Sequence, residues 1–530
     1  MPRRLADDHS RKCFAFPGGP EVRTLSRDFK EYGWAPSTAD IAKLAGIHPL
    51  EVVRFDGNVA PAPLPSSRPG TIAGPLARIH TYAHGGYPEL LDAIARYAGV
   101  GRENVVLGAG ADDLILLCAR AFAGPGDAVA IANDPTYPVF RLGAWLAGAE
   151  VGDDDPVLTF CCRPNNPTGA LEPLPADRPL AVDEAYFEYC DETAVPFIED
   201  GVIVIRTFSK AFGLAGARVG YAIADTATAR ELNARQAPCP VSSLSAALAL
   251  AAIQSPPDVT PVVEERDRLA RALRALGLDP LESHANFLLV PVDEPRAVGD
   301  ALLRQGLAVR VFPAGIRISV LDPPDDDLIV EALARLLDRP SPVPAAGGRR
   351  VRRLRATAET RIATRLALDG ASRVRVSTGA GLYDHFLEQL AFHAGFDLIL
   401  EGTGDLETGE HHTAEDAALA LGEALNAALG DRRGIARYGD AVVPMDDALA
   451  RAAVDLGGRP AAELKLELDP GLAVHVLGSL AQSARIAIHV DAEGRDAHHV
   501  AEGAFKAVGR ALRTATRLES EGIPSTKGVM

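Results

Sequence analysis

Lysine is scarce in this chain of 530 residues, with seven against 47 arginines. Where a lysine does occur, a guanidinium was not an adequate substitute. Positive charge as a whole is in the minority. The net charge of -17 argues against nucleic acid or an anionic membrane as the main partner, since both need a basic face. No run of about 18 apolar residues occurs, so no transmembrane helix is expected. No apolar stretch follows Arg3 and Arg4, so an ordinary secretory signal is not expected either, and a cytoplasmic protein is. The six cysteines all precede residue 240 and form no CxxC pair, which excludes a disulfide framework and a thiolate zinc site. They read as small buried side chains in a reducing compartment. Aromatics at 5% leave a core built mostly of Ala, Leu and Val.

What is present is enough for two to four units, with apolar (47%) and charged (24%) fractions near the soluble average. Residues 339–350, RPSPVPAAGGRR, read as a linker between a unit at 1–338 and one at 351–530. Residues 1 to about 50 carry no legible chemistry. In the first unit, NVVLGAG, DAVAIAND, RPLAVDEAY and GVIVIRTFS alternate with helical stretches, predicting a mostly parallel sheet covered on both faces. From about residue 260 to 338, helices mix with ANFLLVPV and LAVRVFP, predicting a smaller lobe. The basic run after the linker, VRRLRATAETRIATRLAL, reads as a solvated strand face. The second unit holds an internal repeat. HHTAED at His411 returns as HHVAEG at His498, each followed by a periodic helix, and His385 and His475 precede them at a similar spacing. Two similar sheet-and-helix units of an α+β domain are expected.

In the first unit, TFSKAFGLAGARVGY puts Lys210 after a strand, where a nucleophilic amine suited to a Schiff base is expected. Asp183 ends the strand of AVDEAY and offers the acid that pyridoxal phosphate needs at its ring nitrogen. CRPNNPTG, VDEAY and this lysine segment, in series over about residues 55 to 335, resemble the α/β fold-type I pyridoxal-phosphate aminotransferases, specifically histidinol-phosphate aminotransferase. The resemblance implies Lys210 as the amine that bonds the cofactor and then shuttles the proton. It implies Asp183 on the ring nitrogen, Asn166 and Tyr186 on the phenolic oxygen, and Tyr137 against the ring. Ala111 and Asp112 at a helix N-terminus, with Thr207, Ser209 and Arg218, match its phosphate site. Arg317 matches the α-carboxylate arginine, and Tyr87 a tyrosine that reaches a partner subunit's site. The usual Asn-Glu-Asn-Pro entry segment is DGNVAP here, keeping Asn58 for the substrate and losing the acid. A related lyase, threonine-phosphate decarboxylase, shares most of these motifs.

In the second unit, two HHxxE clusters place imidazole and carboxylate on one side of a helix, without thiolate, which points to manganese, iron or zinc. Adjacent histidines diverge by about 100°, so one pair can serve two metals. RATAET, TGAGLYDHFLEQL, HHTAED, GDRRGIARYG, PMDDALA, DLGGRP, HHVAEGAFKA and PSTKG, in order, resemble imidazoleglycerol-phosphate dehydratase across about residues 351 to 530. The family implies two manganese ions held by His385, His411, His412, Glu415, His475, His498, His499 and Glu502. It implies Arg437, Arg459, Ser525 and Lys527 on the substrate phosphate, and Glu359 and Gln389 on the glycerol hydroxyls. Glu502 or Glu359 is the expected proton relay, while Glu410 and Asp496 depart from the usual Asp and Asn. His393 and His489 read as structural.

The two resemblances imply consecutive reactions on one chain. Dehydration of imidazoleglycerol phosphate gives imidazoleacetol phosphate, and transamination with glutamate gives histidinol phosphate. The alternatives are a pyridoxal enzyme of other specificity in front, or an inert oligomerisation scaffold behind. A homo-oligomer is expected, since the family's aminotransferase is a dimer and its dehydratase a shell of twenty-four subunits.

Overall fold

The computed structural model describes residues 35–59, 74–77, 79–82, 86–343, 349–370, 372–519 and 522–524. In its first unit, seven strands lie in the order Val105–Gly108, Gly220–Ile223, Val202–Thr207, Leu180–Asp183, Leu158–Cys162, Ala128–Ile131 and Glu150–Val151. Only Gly220–Ile223 runs antiparallel to its neighbours. The central strands are buried along their whole length, as a sheet covered on both faces requires. One cover includes the helices Pro88–Ala98 and Ser243–Gln254, the other Ala111–Phe122 and Val139–Ala147.

The smaller lobe is an antiparallel sheet of Phe287–Val290, Gly315–Ser319 and Arg310–Phe312, packed by the helices Thr260–Ala275 and Pro323–Leu336. The described part of the unread N-terminal stretch, from residue 35, belongs to this lobe. Ser37 and Asp40 close a capping box on the helix Thr38–Ala45, and Val53–Arg54 pairs in parallel with Leu307–Ala308.

The second unit repeats one plan twice. Its sheets run Arg350–Ala356, Thr360–Ala367, Asp397–Gly404, Val374–Ser377 and Tyr438–Met445, Ala448–Asp455, Ala487–Glu493, Ala461–Leu466, the same first-second-fourth-third order. Between them lie two short helices, Gly381–Ala394 and Ala473–Ala484, and two long ones, His411–Leu429 and Ala497–Ala515. All four contribute to one core, where Phe386 stacks on Phe505 across the repeats at 5.1 Å.

The expected linker is ordered at both ends. Val343 is buried in the core of the small lobe, and Arg350 opens the first strand of the second unit. The two units are also docked. The acidic start of Pro323–Leu336 meets the outer face of the first sheet, where Arg365 Nε lies 3.0 Å from Asp325 Oδ1 and Arg375 Nη1 lies 3.2 Å from Asp322 Oδ2. Arg350 pairs with Asp327 beside them. The basic run is therefore only half a solvated face. Arg353 and Arg361 are exposed, whereas Arg365, on the same strand face as Arg361 but further along it, is covered by the interface and 7% exposed. No helix among the described residues is long and apolar enough to cross a membrane.

Candidate active sites

The first site forms where the parallel strands end, the edge at which α/β sheets place ligands. Asp183 closes its strand, fully buried, and accepts a hydrogen bond from the Ala185 amide at 3.1 Å. Burial pushes its carboxyl up to about 7. Lys210 follows the neighbouring strand, with Nζ 3.3 Å from the Gly57 carbonyl and 5.6 Å from the centre of the Tyr186 ring. Burial, helped by the Arg317 charge, lowers its ammonium to about 8. A buried acid and a readily neutralised amine on adjacent strands are the pair that imine chemistry needs.

Around them the expected residues converge. Asn58 donates to the Tyr186 hydroxyl at 3.1 Å and accepts from Ser319 at 2.8 Å, while Arg317 donates to Asn166 and, at 3.1 Å, to the Asp56 carbonyl. Arg317 Nε is buried without a hydrogen-bond partner, so the guanidinium retains capacity for a carboxylate. Burial lowers its pKa.

Tyr137 and Arg218 both bond the Asp112 carboxylate, at 2.7 and 3.1 Å, at the first turn of the helix that starts at Ala111. Thr207 and Ser209 share a 2.9 Å hydrogen bond beside it. Gly110, at φ +87°, lets Arg218 lie where a Cβ would come within 2.8 Å. This cradle of helix N-terminus, hydroxyls and arginine suits a phosphate. Tyr87 is not brought in: its hydroxyl donates to the Val241 carbonyl of the same chain. Ser319, which fixes Asn58, carried no sequence signal.

The second unit forms two clusters, and the repeats trade ligands to make them. His385 on the short helix of the first repeat meets His498 and Glu502 on the long helix of the second, with Glu502 oxygens 3.7 and 3.3 Å from the two Nε2 atoms. In mirror fashion His475 meets His411 and Glu415, at 3.3 and 3.6 Å from Glu415 Oε2. In each cluster the three ligand atoms lie within 4.8 Å of one another, a donor set that fits one divalent ion with positions to spare.

His412 and His499 join neither cluster. His412 Nδ1 is hydrogen-bonded to Asp405 at 3.0 Å and lies 3.7 Å from the Glu359 charge, and His499 Nδ1 is hydrogen-bonded to Asp447 at 2.6 Å; the hydrogen bonds foremost raise both imidazoles. The HHxxE motifs thus split. The i,i+4 histidines stay with the Glu, and their partners turn about a quarter of the helix away.

Asp496 caps the second long helix through the His498 and His499 amides. Glu410, at the equivalent end of the first, makes no such bond. Lys506, one turn beyond Glu502, lies 2.8 Å from its Oε1 and holds the carboxyl below its usual range against the effect of burial. Sequence reading missed it, although it is one of the seven lysines. Gln389 lies one turn from His385, and Glu359 is presented on a turn tied down by Thr357, Thr360 and the buried Asp416.

Arg437 is clamped by Asp455 at 2.7 and 3.1 Å and donates to the Pro524 carbonyl, so the described end of the tail lies beside it. Arg459 is exposed in the loop after that clamp. Ser525 and Lys527 lie outside the described residues.

Comparison with known proteins agrees with this division. A family model for imidazoleglycerol-phosphate dehydratase matches residues 378–512, and one for aminotransferase class I and II matches residues 76–153 and 153–333. The second unit is 49% identical over 188 residues to imidazoleglycerol-phosphate dehydratase of Methanothermobacter thermautotrophicus, covering 34% of this chain and 97% of that protein. The same enzyme of Salinispora arenicola is 48% identical over 198 residues, covering 33% and 96%. The first unit resembles the crystal structure of histidinol-phosphate aminotransferase from Sinorhizobium meliloti in complex with pyridoxal-5'-phosphate. The TM-score is 0.52 at 26% identity, covering 59% of this chain and 99% of that one.

Proposed function

The chain belongs, through its C-terminal unit, to the imidazoleglycerol-phosphate dehydratase family, and from that premise we propose a bifunctional enzyme of histidine biosynthesis. The second unit dehydrates imidazoleglycerol phosphate to imidazoleacetol phosphate, and the first transaminates that ketone with glutamate to histidinol phosphate. The observation that carries the reading is the coexistence, in one docked chain, of the two His-His-Glu clusters and the Lys210–Asp183 pair.

In the aminotransferase site the residues present fit pyridoxal 5'-phosphate, which when bound supplies an electron sink. Arg218, Thr207, Ser209 and the helix start at Ala111 and Asp112 would hold its phosphate. Asp183 would hold the ring-nitrogen proton, Asn166 and Tyr186 the phenolic oxygen, and Tyr137 one ring face. Lys210, lowered to about 8, keeps a neutral fraction near pH 7 and so both accepts and returns a proton at Nζ. Arg317 grips the substrate carboxylate, and Asn58 keeps Tyr186 in place for it.

In the dehydratase site the clusters fit two manganese ions, whose charge would stabilise an imidazolate. The histidines turned outward, His412 and His499, would complete the clusters of neighbouring copies, so that the active form is a homo-oligomer. Glu502 is fixed by two histidines and Lys506, which suits a ligand. Glu359, more than half exposed and 3.7 Å from His412, is the freer carboxylate and the better proton carrier. Arg437 and Arg459, with Ser525 and Lys527 of the tail, would take the substrate phosphate.

Supplying imidazoleacetol phosphate and glutamate to the pyridoxal-phosphate-loaded chain tests the less closely matched half. Histidinol phosphate and 2-oxoglutarate are expected in equal amounts. Turnover of O-phosphothreonine with carbon dioxide release, and none of the ketone, would refute the assignment.

A further inference from the structure

A cavity of about 630 Å³ lies at neither catalytic site but in the seam between the two units. The helix Thr260–Ala275 and the start of Pro323–Leu336 wall it on one side, and the strands beginning at Val374 and Asp397 on the other. Neither unit encloses it alone. Its size is in the range of small-molecule sites.

The charges in its wall are unevenly spent. Arg268 is committed to Glu265 and Asp327, and Arg375 to Asp322 and Glu401. Arg271, Arg373 and Glu264, all exposed, take part in no ion pair among the described residues. The Arg375–Asp322 pair lacks hydrogen-bond geometry, leaving Arg375 Nε and Nη1 and Asp322 Oδ2 buried with bonding capacity unused. Asp267, paired with Arg266 at 3.3 Å, also lines it, and the rest of the wall is apolar, including Val262, Leu321, Val374 and Leu398.

Free groups of both signs beside an apolar wall select against a simple anion, which would face Glu264 and Asp322, and against a simple hydrocarbon. We propose that this seam cavity is a binding site for a zwitterionic α-amino acid. Arg271 and Arg373 take its carboxylate, the unpaired Glu264 its ammonium, with Asp322 adding negative charge from behind its Arg375 pair, and the apolar wall its side chain. The site is independent of the two catalytic assignments, since neither Lys210 nor any ligand of the His-His-Glu clusters lines it. A ligand bound by both units also favours their docked arrangement by mass action.

The test is calorimetric titration of the full chain, loaded with pyridoxal phosphate and manganese, with L-histidine, L-leucine and L-phenylalanine. Histamine, which lacks the carboxylate, imidazolepropionate, which lacks the ammonium, and inorganic phosphate are run beside them. At least one amino acid is expected to bind one per chain. Its affinity should fall at least tenfold in the exposed charge reversal Arg271→Glu/Arg373→Glu, with basal turnover of both reactions unchanged. For L-histidine, either single-charge analogue should bind at least tenfold more weakly. No binding by any of the three amino acids would overturn the proposal. So would equal affinity in the double variant, which places the ligand elsewhere, or phosphate binding more tightly than the amino acids.

Discussion

His385 and Glu502 face each other at 3.7 Å from opposite halves of an internal repeat. Neither repeat holds a complete cluster, because each short helix brings the histidine that the other repeat's long helix lacks. The two clusters are therefore linked through the packing of one core.

Replacing one of these groups tests that exchange. Glu502→Gln should remove metal from the His385–His498 cluster, taking bound manganese per chain from two toward one, and lower dehydration by at least about 100-fold. Transamination should not change. Elemental analysis and separate assays of the two reactions check this.

Asp183 gives a pH signature. Its folded pKa, about 7, lies above the ordinary 3.8, so the folded protein holds the proton more tightly. This group's contribution to stability is fully present below pH 3.8 and is lost as pH rises through 7. By pH 8 the loss approaches about 4 kcal/mol. Asp183→Asn should therefore raise the melting temperature of the cofactor-free protein, more at pH 8 than at pH 5, while abolishing transamination. Melting curves at the two pH values decide it.

The seam gives a third prediction. Asp325 and Arg365 are both less than one tenth exposed, so Asp325→Ala strands a buried charge and should cost about 3 kcal/mol. Asp325→Leu/Arg365→Met should recover most of it. Denaturant unfolding of the singles and the double, as a thermodynamic cycle, measures the coupling.

Gly110 gives a fourth. At φ +87° with Arg218 pressed against it, Gly110→Ala should weaken pyridoxal-phosphate binding about tenfold, with dehydration intact. Cofactor titration followed by absorbance checks it.

Much of this was legible in the chain. The return of HHxxE announced two repeats and the residue types that gather in the two clusters, and strand patterning placed Lys210 and Asp183 at one sheet edge. The sorting of ligands was not legible. His412 and His499 sit in the same motif as their neighbours, and only the helix phase and the carboxylates Asp405 and Asp447 separate them. Lys506 was visible as a rare lysine at i+4 from Glu502, a spacing that predicts contact on a helix. The docking of the units was hidden because an arginine-rich strand reads alike against water and against an acidic helix.

The central claim is that one chain performs successive reactions. Its most direct test is a time course with imidazoleglycerol phosphate, glutamate, pyridoxal phosphate and manganese, followed by mass spectrometry for the intact chain and for Lys210→Ala. The intact chain should form histidinol phosphate through transient imidazoleacetol phosphate, and the variant should stop at the ketone. Ketone accumulating equally in both, with no histidinol phosphate, would contradict the account.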